Sequence, residues 1–128
     1  MATIRFSELS QSRQHLIRIC QTTNFGSIED LVVEGGEPML TASTSNVLEE
    51  VKLGAEQGAR PEALLYDFVL CREFSQLMAL LDRIENAQLS KIEIRAGLPR
   101  RILIARSVAA HLALLSSEPT SFEEPVAR

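Results

Sequence analysis

The 128-residue sequence predicts an α+β domain of two α-β-β units, in the order α-β-β-β-α-β-β. An antiparallel sheet is covered on one face by two helices. Three observations point to this fold. Residues 28–38 (IEDLVVEGGEP) and 89–99 (LSKIEIRAGLP) alternate apolar and polar side chains and then reach a glycine with a proline two places on, Gly36/Pro38 and Gly97/Pro99. That is the pattern of a strand running into a hairpin turn. The segment before each stretch carries apolar residues at helical spacing. Finally, residues 15–38 can be set over 76–99 without a gap, pairing Leu16 with Leu77, Cys20 with Leu81, Leu31 with Ile92 and Val33 with Ile94. The alignment implies two units packed with an approximate two-fold relation.

The first helix is expected from Ser7 or Ser10 as N-cap, with Leu9, Leu16, Ile17, Ile19 and Cys20 on its apolar stripe and an end near Thr22. Asn24 and Gly26 suit that end because both tolerate the left-handed backbone in which helices terminate. In the first hairpin Leu31 and Val33 should point to the core, with Asp30, Val32 and Glu34 on the other face. A polar loop, TASTSN, leads to a third strand over 47–53, in which Val47, Val51 and Leu53 share a face. Residues 54–61 (GAEQGARP) then read as a connector.

The second helix carries the clearest seam, Leu70, Phe74, Leu77, Leu81 and Ile84 at spacings of four and three, with Asp67 as its expected N-cap. Residues 90–105 form the second hairpin and SVAAHLALL a short helix. One domain is expected over residues 1–115. The remainder, 116–128, contains two prolines and few residues to bury, so a disordered tail is expected there.

The length of the second turn follows from parity. A two-residue loop at Ala96-Gly97 would set Ile92 opposite Arg101 and push that charge into the core. A three-residue loop, Ala96-Gly97-Leu98, sets Ile92 opposite Ile102 and Glu93 opposite Arg101, and is therefore expected.

Composition narrows the functional classes. The N-terminal residues lack the apolar run of a signal peptide and no 18 apolar residues are consecutive, so a cytoplasmic protein without a membrane span is expected. Cys20 and Cys71 each sit in an apolar helical run and read as small core residues. His15 and His111, the two histidines, stand alone, with no Cys or His at metal-ligand spacing, so neither metal nor cofactor is expected. Gly35-Gly36 lacks the Lys-Ser/Thr of a phosphate loop and reads as a turn. Glu29, Asp30, Glu34 and Glu37 around it read as solvated edges rather than cation ligands.

The net charge of −4 is unevenly spread: residues 83–106 hold six bases against two acids. Lys91, Arg95, Arg100 and Arg101 are the candidate anion-binding residues, for nucleic acid or a phosphorylated ligand. The segment has no aromatic residue for base stacking, so nucleic acid ranks behind self-association. Val32, Leu40, Leu48 and Leu103 are expected on the sheet face opposite the helices, as an interface. An acidic first hairpin and a basic second one would favour a homodimer with two-fold symmetry, unless the C-terminal segment covers that face. The leading expectation is a non-catalytic interaction or regulatory module that self-associates through its sheet. Anion binding is the second, and a small enzyme joining His15 or His111 to carboxylates the third.

Overall fold

The computed structural model describes residues 3–41, 45–51, 53 and 65–116. The expected connector over 54–61 and the expected tail beyond residue 116 lie outside the described residues. Helix α1 (Gln11–Thr23) leads to strands β1 (Gly26–Glu34), β2 (Glu37–Pro38) and β3 (Asn46–Glu49). Helix α2 (Arg72–Ile84), strands β4 (Ala87–Arg95) and β5 (Leu98–Ala105), and helix α3 (Val108–Ser116) follow. The five strands form one antiparallel, open sheet, so the protein is α+β as expected.

Local chemistry sets the helix ends. Ser10 caps α1 by accepting the Arg13 N–H at 3.3 Å, and Asn24 ends it at φ 68°. Helix α2 begins later than the seam suggested, with Cys71 as N-cap and no side-chain capping bond. Asp67 does different work: its carboxylate accepts from Arg5 Nε at 2.8 Å and the Ser7 N–H at 2.9 Å. This ties the N-terminal segment to the residues entering α2, where Arg5 and Val69 form an isolated antiparallel bridge.

β1 and β4 lie at the centre of the sheet. The order runs β2-β1-β4-β5, and β3 joins the edge of β1 that β2 also uses, β2 at Val33–Glu34 and β3 at Gly26–Glu29. The third strand is shorter than expected, ending at Glu49, and Val47, Val51 and Leu53 are exposed. The inward residues of the two central strands keep the same spacing: Ile28, Leu31 and Val33 on β1, Leu89, Ile92 and Ile94 on β4, all buried. A strict alternation would send Ile28 outward when Leu31 points in. The phase changes at Asp30, which takes φ 58°, and at Ser90, the extra residue where the β4–β5 register shifts. Leu16, Ile17 and Cys20 of α1 and Phe74, Leu77, Met78 and Leu81 of α2 complete the core above these strands.

Both hairpins turn in two residues rather than three. Glu34 pairs with Glu37 across Gly35-Gly36, and Arg95 pairs with Leu98 across Ala96-Gly97. All four turn residues have positive φ, between 55° and 78°, the geometry that matches strand twist. The expected pairings of Ile92 with Ile102 and Glu93 with Arg101 nevertheless occur, because Arg100 is an extra residue in β5 between Pro99 and Arg101. A bulge, not a longer loop, keeps Arg101 out of the core.

The bounds of α1 and α2, and of β1 and β4, differ by the same sixty-one residues at both ends. Two hydrogen bonds follow the same offset: Gly36 N–H donates to Glu85 C=O and Gly97 N–H to Asn24 C=O, each at 2.8 Å. Each hairpin turn thereby satisfies the helix end of the other unit.

Candidate interaction surface

The outer face of the sheet can be assembled from its registers. One row across the strands runs Leu48, Ser27, Glu93, Arg101. The next runs Asn46, Glu29, Lys91, Leu103, and a third Val32, Gln88, Ala105. Opposite charges meet in the first two rows, Glu93 facing Arg101 and Glu29 facing Lys91. The register sets these charges opposite one another, although neither pair closes to within 4 Å among the described residues.

The four candidate interface residues therefore do not form one apolar patch. Val32 is half-buried on the outer face. Leu48 (51 % exposed) and Leu103 (44 %) lie at opposite margins of the sheet, on β3 and β5. Leu40, beyond β2, packs against the core.

The four candidate anion-binding residues are likewise divided. Lys91 and Arg101 face outward beside carboxylates, and Arg95 Nε lies 3.8 Å from Glu93 Oε1. Arg100, in the bulge, reaches α2 instead and donates to Glu73 at 3.0 Å. A cleft of about 200 Å³ brings Lys91 and Arg95 together, yet Glu50 and Glu93 line it with them. A phosphate entering there would meet two acids with the two bases.

The short helix expected at SVAAHLALL forms after β5, and no interface role was expected of it. In α3 Val108 is 77 % exposed, and Leu112 and Leu115 are each 55 % exposed. Their spacing of four and three places them on one stripe. The signal was present in SVAAHLALL, where apolar residues outnumber polar ones, but only packing decides whether such a helix joins the core. Strand β5 pairs with β4 on one side and forms the margin of the sheet. Its unpaired backbone groups and Leu103 thus lie beside an exposed apolar helix in sequence.

Two further polar sites are local. Glu37 accepts hydrogen bonds from the hydroxyls of Ser10 (2.6 Å) and Ser12, and these bonds hold its carboxyl below the usual range. Arg13 bridges Gly36 C=O at 2.9 Å and Asp82 at 2.7 Å, fixing the first turn between α1 and α2. The acidic cluster of the first hairpin is therefore partly used in structure.

His15 is exposed and lines a shallow cleft with Gln14, Arg18 and Tyr66, and among the described residues that line it there is no carboxylate. Burial pushes the Cys20 thiol up to about 12, which removes it as a nucleophile at neutral pH. Among the described residues no group of three or more His, Cys, Asp and Glu could hold a metal ion. No helix among them is long and apolar enough to cross a membrane. Comparison with protein-family models, with curated proteins and with solved structures finds no match.

Proposed function

We propose that the protein is a non-catalytic interaction module whose first partner is a second copy of itself. The observation that carries the reading is the exposed stripe Val108, Leu112 and Leu115 directly after the marginal strand β5. An apolar stripe of this kind is stabilised by burial, at about 25 cal/mol per Å² removed from water. A second copy is the occupant because the hairpins differ in charge: Glu29, Asp30 and Glu34 on the first, Lys91, Arg95 and Arg101 on the second. A two-fold arrangement that sets the first hairpin of one copy near the second of the other uses both. The unbridged Cys20 and Cys71 support a reducing, cytoplasmic setting.

Sedimentation velocity over a wide dilution range tests the proposal. A dimer is expected at micromolar concentration, and Leu112→Asp/Leu115→Asp should weaken it at least tenfold while leaving the far-UV spectrum unchanged. A wild-type chain that sediments as a monomer at every concentration would overturn the reading.

A further inference from the structure

We propose that the cleft between α2 and β5 is the docking site of this chain's own acidic C-terminal segment, residues 117–128. The cleft has a volume of about 400 Å³. Leu77, Leu80, Pro99 and Ile102 supply its apolar lining and Arg83 and Arg100 its charge, with the outward-facing Arg101 at its rim. Glu73 is the acid among the lining residues, and it is taken up by Arg100 at 3.0 Å with Arg72 at 3.9 Å. No ion pair of Arg83 or Arg101 is found within 4 Å among the described residues. In a chain of net charge −4 this is a local excess of cations over an apolar groove.

The segment SEPTSFEEPVAR has the complementary composition. It offers Glu118, Glu123 and Glu124 to the arginines and Phe122 and Val126 to the apolar lining. Pro119 and Pro125 disfavour a helix and suit an extended course along a strand margin, where their missing N–H groups are tolerated. Reach is sufficient. The path from Ile102 through the end of α3 spans at most about 35 Å if fully straight, and Glu123 and Glu124, seven and eight residues past Ser116, reach about 25–28 Å, so they arrive wherever the chain turns back after β5. Tethering raises the effective concentration of the segment to the order of millimolar, so modest contacts suffice. The docked segment would occupy the α2 side of β5. Self-association uses the stripe of α3 and the two hairpins and shares only Arg101 with this cleft, so position 83 reads docking apart from self-association.

The full-length chain tests this. Arg83→Lys and Arg101→Lys, made separately, keep the charge and introduce an amine that a zero-length carbodiimide couples to a carboxylate in contact. Mass spectrometry of an equal mixture of ¹⁵N-labelled and unlabelled chains then reads which carboxylate, and from which copy. Cross-links from position 83 or 101 to Glu118, Glu123 or Glu124 within one copy are expected. They should fall severalfold in Glu123→Gln/Glu124→Gln and in high salt. Coupling only to Glu73 or Glu93, or no coupling to the three tail glutamates, would overturn the proposal, as would links joining labelled to unlabelled chains, which would give the cleft to a second copy. Sedimentation of the same samples scores self-association independently.

Discussion

Single residues in this protein carry strain and charge that the fold must accommodate. Ala96 adopts φ 55° in the second turn, where the first turn has Gly35 at φ 59°. A side chain in the left-handed region costs on the order of 1 kcal/mol, partly offset by the lower unfolded-state entropy of Ala relative to Gly. Ala96→Gly is therefore expected to stabilise the protein by at most about 0.5 kcal/mol, read as a slightly higher urea midpoint at unchanged m-value.

Asp67 is the second case. The hydrogen bond from Arg5, with that from the Ser7 N–H, lowers its pKa to about 2 from an ordinary value of 3.8. A carboxyl with a depressed native pKa contributes stability that is fully present above its unfolded pKa and lost as pH falls through the native one. Stability should thus decline between about pH 4 and pH 2, and Asp67→Asn should flatten that part of the curve. Chemical denaturation at a series of pH values is the check, and an unchanged slope in the variant would refute the assignment.

At the scale of elements, the attachment of β3 depends on close approach. A Cβ placed on Gly26 would lie 1.9 Å from the Leu48 carbonyl oxygen, a backbone atom that cannot move without moving the strand. Among the described residues β3 pairs with β1 alone, and its four residues are exposed. Gly26→Ala is expected to detach β3 while β1 keeps its pairing with β4. Hydrogen exchange should show amide protection lost over residues 46–49 and retained over 87–95. Loss of protection across the whole sheet would mean that β3 is integral to the core.

Legibility in the sequence differed between elements for identifiable reasons. The seam of α2 was plain because Phe74, Leu77 and Leu81 all point one way into the core. Its start was misjudged because Asp67, a good capping residue by type, is held by Arg5 and Ser7 some sixty residues away. The turn length was misjudged because parity assumes a regular ladder, and the bulge at Arg100 breaks it. Alternation placed Val32 on the outer face, but it gave no sign that Leu40 would fold back onto the core. The basic group looked continuous in sequence, yet the bulge sends Arg100 to α2 and leaves Arg101 across from Glu93.

For the whole molecule, the charge difference between the hairpins has a measurable consequence. If the acidic hairpin of one copy lies near the basic hairpin of the other, association should weaken as salt is raised. From 50 to 500 mM salt the Debye length falls from about 14 to about 4 Å, so an interface oriented by these charges should lose affinity severalfold. Sedimentation at the two ionic strengths measures it. An affinity that rises with salt would instead point to the apolar stripe of α3 acting without electrostatic guidance.

What the sequence determined by itself is local: two helices by their apolar spacing, two hairpins by alternation and Gly-x-Pro, and the α+β class that follows. Propensity and periodicity are short-range, and each of these elements agrees with its own residues. The contributions of long-range packing are relational. Such packing set β2 and β3 on one edge of β1, absorbed a bulge that keeps Arg101 outside, and divided the basic residues between two faces. It also left the stripe of α3 in solvent. Those outcomes depend on contacts between residues far apart in the chain, where burying a charge or an apolar stripe is decided by what lies opposite.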